Sequence, residues 1–234
     1  MSTDKIKIIF LGLNEAGEKI YNWLIDQGEN VVALLTEKNQ LEIIPELSPD
    51  MVISCGFRHV VSEKFLGLPE RGFINIHPAY LPYNRGANPN VWSIAEDTPA
   101  GVTIHYMDEN IDTGKIIARR EVEVPFDFSG KDLYKKLEKV QLQLFQEKWG
   151  EIKSSDLQTS PQPDSSGTYH KTDEFDELCH INPEESYQAI ELINLLRALT
   201  FPPYDNAYVE VDGEKYYLRL DIYKESGSAE DNLG

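Results

Sequence analysis

Four short apolar runs set the limits on what this chain can fold into. Residues 6–11 are apolar apart from Lys7, residues 31–35 and 51–54 are nearly unbroken, and residues 73–76 carry one polar side chain, Asn75. Runs rich in Val and Ile suit strands buried on both faces of a parallel sheet. Gly12, Asn14 and Gly17 follow the first run, and Ile20, Trp23 and Leu24 then recur at helical spacing. Strand, turn and helix therefore succeed one another. Pro45 and Pro49 mark a loop before the third run. The pattern predicts an α/β fold, Rossmann-like in layout, with a mainly parallel sheet. Leu13 and Asn14 follow Gly12, so no dinucleotide-binding glycine pattern is completed, and Gly12 and Gly17 read as strand-to-helix turn chemistry.

Beyond the fourth run, residues 89–96 predict a short helix carrying Trp92 and Ile94. Residues 101–107 alternate, with Val102, Ile104 and Tyr106 against Thr103, His105 and Met107, and residues 115–124 are again extended. Residues 108–114, DENIDTG, form a polar loop between them. Ser129 reads as an N-cap with Asp132 as acidic partner, and Leu133, Leu137, Val140 and Leu144 form an apolar stripe running to Trp149. The Ser- and Pro-rich stretch 151–167 reads as a linker. Asn182 is an expected N-cap with Pro183 at the first helical position. Residues 207–211 and 215–222, joined by Asp212-Gly213, predict a hairpin with a type I′ turn. The expected organisation is a main domain over 1–150, the linker, a helix-and-hairpin unit over 168–224, and a disordered tail over 225–234.

At 234 residues the chain suffices for one α/β domain and a small appendage. Forty acidic against 22 basic residues give a formal charge of −18, which opposes a phosphate-backbone interface, so no nucleic-acid partner is expected. No stretch approaches the roughly 18 apolar residues of a membrane span, and the amino end shows no signal-peptide cleavage pattern. Cys55 and Cys179 have no metal-ligand spacing and read as reduced thiols in a cytoplasmic protein. His59, His77, His105, His170 and His180 likewise show no metal-binding spacing, and no metal is expected.

Asn75 and His77 stand two apart at the end of the fourth run, so they project from one face. Pro78 and Pro82 then take the chain out of the sheet. Such a pair can simply hold a loop, or it can serve a ligand, because ligands bind at strand ends of α/β sheets.

Three segments decide between these readings: CGFRHVVSEKF (55–65), FINIHPAYLPYNRGANP (73–89) and GVTIHYMDENIDTGKII (101–117). Together they resemble the folate-dependent formyltransferases, which share the fold of glycinamide ribonucleotide and methionyl-tRNA formyltransferases. The resemblance covers at least residues 5–150. It implies a Rossmann-like formyltransferase core with a small C-terminal helix and β-hairpin, and 10-formyltetrahydrofolate as cosubstrate. It implies Asn75, His77 and Asp112 as the catalytic trio. Phe57, His59 and Val61 would line the pterin pocket, closed by the loop bearing Asp108 and Asp112. Asp112-Thr113-Gly114 also matches the aspartic-protease tripeptide, but the α/β pattern contradicts an all-β protease.

The acidic tail, with TYHKTDEFDEL and LINLLRALTFPPYDNAYVEVDGEKYYLRL, is similar to that of sugar N-formyltransferases rather than of tRNA enzymes. That subgroup implies a nucleotide-linked amino sugar as acceptor, dTDP-4-amino-4,6-dideoxyhexose first, in surface polysaccharide (O-antigen) synthesis. Tyr83, Arg85, Asn88 and Trp92 are candidates near the sugar, and Arg197, Phe201 and Tyr204 candidates for the nucleotide. Phe201 and Tyr204 could equally be packing between helix and hairpin. The hairpin, rich in Tyr and Val, cannot stand alone, and a homodimer through it is expected. The competing readings are a formyltetrahydrofolate hydrolase, a methionyl-tRNA formyltransferase-like enzyme on another amine, and a silent nucleotide-sugar binding protein.

Overall fold

The computed structural model describes residues 5–154, 157–163 and 167–225. The chain runs β1 (Lys7–Leu11), α1 (Glu15–Asp26), β2 (Asn30–Leu35), a 3-10 turn (Lys38–Ile43) leading into α2 (Ile44–Leu47), β3 (Met51–Ser54), α3 (Glu63–Leu66), β4 (Phe73–His77) and β5 (Arg85–Gly86). It continues through α4 (Pro89–Ala95), β6 (Gly101–Tyr106), β7 (Ile116–Glu121), α5 (Gly130–Ile152), β8 (Tyr169–His170), α6 (Thr172–Leu178), α7 (Ala189–Leu199), β9 (Tyr208–Val211) and β10 (Glu214–Tyr217). The main sheet has the order β2-β1-β3-β4-β6-β7. β1 to β4 are parallel, whereas β6 and β7 join antiparallel. The sheet is thus mainly parallel and α/β, as the apolar runs predict, with a reversed edge.

Both faces are buried, and alternate residues divide between them. Ile8, Phe10, Ile53, Ile74, Ile76, Val102 and Ile104 face α1 and α5, meeting Ile20, Leu24, Leu137 and Phe145. Ile9, Leu11, Val52 and Phe73 face the other way, meeting Leu41, Ile44, Val61 and Phe65. Full burial of such a side chain contributes about 1.5–3 kcal/mol. Phe73 belongs to this second face, so Asn75 and His77 continue it past the end of the apolar cluster.

The long helix α5 starts as expected. Ser129 and Asp132 form a reciprocal capping box, the Asp132 carboxylate taking the Ser129 N–H at 3.0 Å. Buried Gln141 on α5 donates to the Ile76 carbonyl at 2.9 Å, fixing β4 between Asn75 and His77.

Elsewhere the structure departs from expectation. Pro45 lies inside α2 near its first position, where the missing N–H costs nothing. The last helix begins at Ala189, capped by Gln188 and Glu191, not at Asn182. Asn182 instead accepts the Glu184 N–H at 3.1 Å and donates to Glu185, a local turn that competes with helix initiation. α6 is polar and had no periodic signal. The hairpin turns at Asp212 (φ 53°) and Gly213 (φ 81°), as its residue pair requires, but β10 ends at Tyr217, short of residue 222. Within the expected linker, Ser160 exchanges backbone hydrogen bonds with Ile116 at 2.8 and 2.9 Å. The expected tail at 226–234 lies outside the described residues. Among the described residues no helix is long and apolar enough to cross a membrane.

Candidate active site

The end of β4 meets two other elements. In the antiparallel register Asn75 stands opposite His105 and His77 opposite Thr103. The 108–114 loop, between β6 and β7, then brings Asp112 against both histidines. His77 Nε2 lies 3.5 Å from Asp112 Oδ2, and His105 Nε2 lies 3.5 Å from Asp112 Oδ1. The Asn75 amide nitrogen is 3.4 Å from Asp112 Oδ1 and 3.4 Å from His105 Nε2. These are contacts at the outer limit of a hydrogen bond, free to tighten around a substrate. Asn75, His77 and Asp112 therefore come together, and His105 joins them.

The partners fix the ring protons. His105 Nδ1 is 2.9 Å from the Tyr106 carbonyl, so it donates there. Its Nε2 accepts from the Asn75 amide when neutral and donates to Asp112 when protonated. His77 Nε2 faces two acceptors, Asp112 Oδ2 and the Asn84 carbonyl at 3.5 Å. In the neutral ring the proton therefore sits on Nε2 and the lone pair on Nδ1.

Burial pushes the Asp112 carboxyl up, but His77, His105 and the Gly86 N–H together outweigh it, and the group is held well below the usual carboxylate range. Burial pushes His77 below its ordinary value of 6.5, and the neighbouring Asp112 only partly restores it. Both directions meet in one state: an ionised Asp112 facing the N–H of a neutral His77.

The shortest contact to that carboxylate comes from backbone. Gly86 N–H donates to Asp112 Oδ2 at 2.9 Å, a charge-assisted bond. Gly86 is in β5, paired parallel with β8. Its φ is +90°, and a Cβ there would sit 2.3 Å from the His170 carbonyl, so only glycine allows the pairing. Asn84, fully buried, holds the same loop: its amide donates to Ser93 Oγ at 3.0 Å and Thr98 Oγ1 at 2.9 Å, and its oxygen accepts from Thr168 at 3.0 Å.

Phe57 and His59 sit edge to face, ring centres 5.3 Å apart, with His59 3.7 Å from Glu37. Val61 is buried in the second core face, against which Phe57 and Met107 also pack. Val61 is thus core rather than an open pocket wall, while Phe57 and Met107 are only partly buried. Asp108 is occupied by its own loop, accepting from Thr113 Oγ1 at 2.6 Å and the Asn110 N–H at 3.2 Å.

The acceptor candidates divide. Tyr83 and Asn88 are half-buried beside β5, and Asn88, left-handed at φ 51°, caps α4 without using its side chain. Arg85 points at Gln162, donating through Nη2 at 2.8 Å. Trp92 is not at a free surface: its indole stacks on His170 with ring centres 3.9 Å apart. Arg197 is not available to a diphosphate, because it is buried and bonded to the Pro125, Phe126 and Phe128 carbonyls at 3.1–3.3 Å. Phe201 packs on Tyr134 of α5 and on Tyr204, the packing alternative, while Tyr204 is exposed. Among the described residues no cluster of three or more His, Cys, Asp or Glu is arranged to hold a metal.

Residues 32–148, half of the chain, match the family model described as formyl transferase. The chain belongs to the formyl transferase family. Residues 174–224 of this family member match the N-formyltransferase dimerization C-terminal domain. It is similar to the dTDP-4-amino-4,6-dideoxyglucose formyltransferase of Mycobacterium tuberculosis, 33% identical over 148 residues, 63% of each chain. It thus spans less than two thirds of that relative's length. A 4-N formyltransferase from Francisella tularensis superposes with a TM-score of 0.84 at 29% identity, over 94% of this chain and 98% of that one. The formyltransferase PseJ from Anoxybacillus kamchatkensis, solved with UDP-4,6-dideoxy-4-formamido-L-AltNAc and tetrahydrofolate, gives a TM-score of 0.66 at 34% identity, over 73% and 88%.

Proposed function

We propose that this formyl transferase family member moves a formyl group from 10-formyltetrahydrofolate to the amine of a nucleotide-linked amino sugar. A dTDP-4-amino-4,6-dideoxyhexose is the first candidate, with surface polysaccharide as the destination. The observation that carries the reading is the convergence of the Asn75 amide, the His77 imidazole and the Asp112 carboxylate beside one strand end. The folate supplies an activated formyl carbon. Partly buried Phe57 and Met107, packed against the second core face, offer apolar surface to an aromatic ring system.

The Asn75 amide donates to the oxyanion that develops as the amine adds to the formyl carbon. His77 takes a proton from the attacking nitrogen at Nδ1, the nitrogen carrying its lone pair, and returns it to the departing nitrogen. Asp112 holds the His77 N–H and stabilises the imidazolium while it exists. A new C–N bond forms as the old one breaks, and one proton passes from one nitrogen to the other. The relatives named differ in nucleotide, dTDP in one and UDP in another.

The test is a panel of dTDP-, UDP- and GDP-amino sugars with formyl-folate, following loss of free amine. Amide formation on one of them is expected. Formate release that needs no sugar would instead make the protein a hydrolase. The formal charge of −18 weighs against a tRNA acceptor. Val211, Tyr216 and Tyr217 on the hairpin are about half exposed, and we assign them to a homodimer interface, which sedimentation at micromolar concentration checks. Free, buried Cys55 and Cys179 suit the reducing cytoplasm.

A further inference from the structure

Gln162 lies between the two matched family segments, after residue 148 and before residue 174. It is 9% exposed, and its amide is fully engaged. The nitrogen donates to the carbonyls of Asp112 and Gly114, each at 2.8 Å. The oxygen accepts from Arg85 Nη2 at 2.8 Å and Nε at 3.2 Å. The amide has one sensible orientation, because the flipped form would aim oxygen at two carbonyls and nitrogen at a guanidinium.

These four contacts join two things that the Asp112 carboxylate depends on. One is its own main chain, held in the left-handed region at φ 55°, a conformation that persists only when its surroundings dictate it. The other is β5, where Arg85 precedes the Gly86 N–H that binds Oδ2. Gln162 is itself placed by the Ser160–Ile116 backbone pairing two residues earlier. The loop also packs tightly: a Cβ at Gly114 would sit 1.8 Å from the Tyr106 carbonyl.

We propose that Gln162 is the positioning residue for the Asp112 carboxylate, clamping the carbonyls on either side of Thr113 and tying them to the strand that supplies the Gly86 N–H. The kinetic consequence rests on the catalytic reading of Asp112 given above; the positional claim does not.

The experiment compares wild type with Gln162→Met, which keeps the length of the side chain but neither donates nor accepts. Gln162→Asn, polar but one methylene short, serves as the second variant. Each is titrated by NMR at His77, whose pKa the adjacent Asp112 raises. A displaced carboxylate lets that titration move to lower pH, fully in Met and partly in Asn. The expected kinetics are a kcat lower by about tenfold or more, with the sugar-nucleotide KM changed little. The His77 titration decides: an unmoved titration in a folded variant overturns the proposal, even if kcat falls. Should Gln162→Met not fold, Gln162→Asn decides by the same criterion. Asp112→Asn run in parallel separates the two ideas. Wild-type turnover in that variant would sink the catalytic role of Asp112, while a shifted His77 in the Gln162 variants would still support its positioning.

Discussion

Asn75, His77 and His105 hang from strands in the middle of a six-stranded sheet, whereas Asp112 hangs from a loop held in place by Gly86 and Gln162. The strand-borne groups are set by a ladder whose neighbours, Ile74, Ile76 and Ile104, are fully buried core. The carboxylate is set by polar contacts from segments far along the chain, β5 with β8 and the stretch around Gln162. The difference separates stability from chemistry. Damage to the packing that carries the strand side should cost stability with little loss of rate, and damage to the contacts that hold the loop side should cost rate.

The largest effect is expected on the reacting groups themselves. Asn75→Ala and His77→Ala should lower kcat by about 10²–10⁴-fold with circular dichroism unchanged; near-wild-type steady-state rates would remove them from the chemistry. Asp112→Asn comes next, at about a hundredfold, and carries a pH signature. Burial already holds His77 below 6.5, so the acid limb of kcat/KM lies below that value in wild type. Removing the charge that partly raises it should move the limb lower still, and a limb moving upward would contradict the arrangement.

Gly86→Ala should cost about tenfold in kcat and about 1–3 kcal/mol in urea denaturation, since a side chain at φ +90° collides with the His170 carbonyl. Gln141→Leu sharpens the contrast from the strand side. It leaves the buried Ile76 carbonyl without its donor, so stability should fall by about 1–3 kcal/mol while kcat changes only a few-fold. If Gln141→Leu cost turnover as much as Gly86→Ala, the division between the two sides would fail.

The strand side was legible because apolar runs and a two-residue period announce it. Ile74 and Ile76 go one way and Asn75 and His77 the other, and that can be read from FINIH directly. His105 could be placed on the Thr103 face by alternation, but its meeting with Asn75 depends on the antiparallel register, which period alone does not set. The loop side was hidden for a different reason. Gln162 sits between prolines in a stretch whose composition is that of a linker, and its importance lies wholly in what it touches. Trp92 and Arg197 drew a ligand reading from the resemblance to sugar N-formyltransferases, yet an indole stacked on His170 and a guanidinium bonded to three carbonyls are already occupied within the fold.

Burial of His77 and the partners of Asp112 also link the site to acid stability. His77 has a folded pKa below its ordinary 6.5, so the unfolded chain gains protons first and stability declines as pH falls below 6.5. Asp112, depressed from 3.8, adds stability that is present above that value and lost as pH falls beneath it. The most direct measurement of the account is a ¹⁵N-histidine NMR titration of the wild-type protein, with His77 assigned by its loss in His77→Gln. The arrangement predicts a neutral ring protonated on Nε2 through neutral pH, titrating below 6.5. A His77 that carries its proton on Nδ1, or that titrates above 6.5, would contradict it.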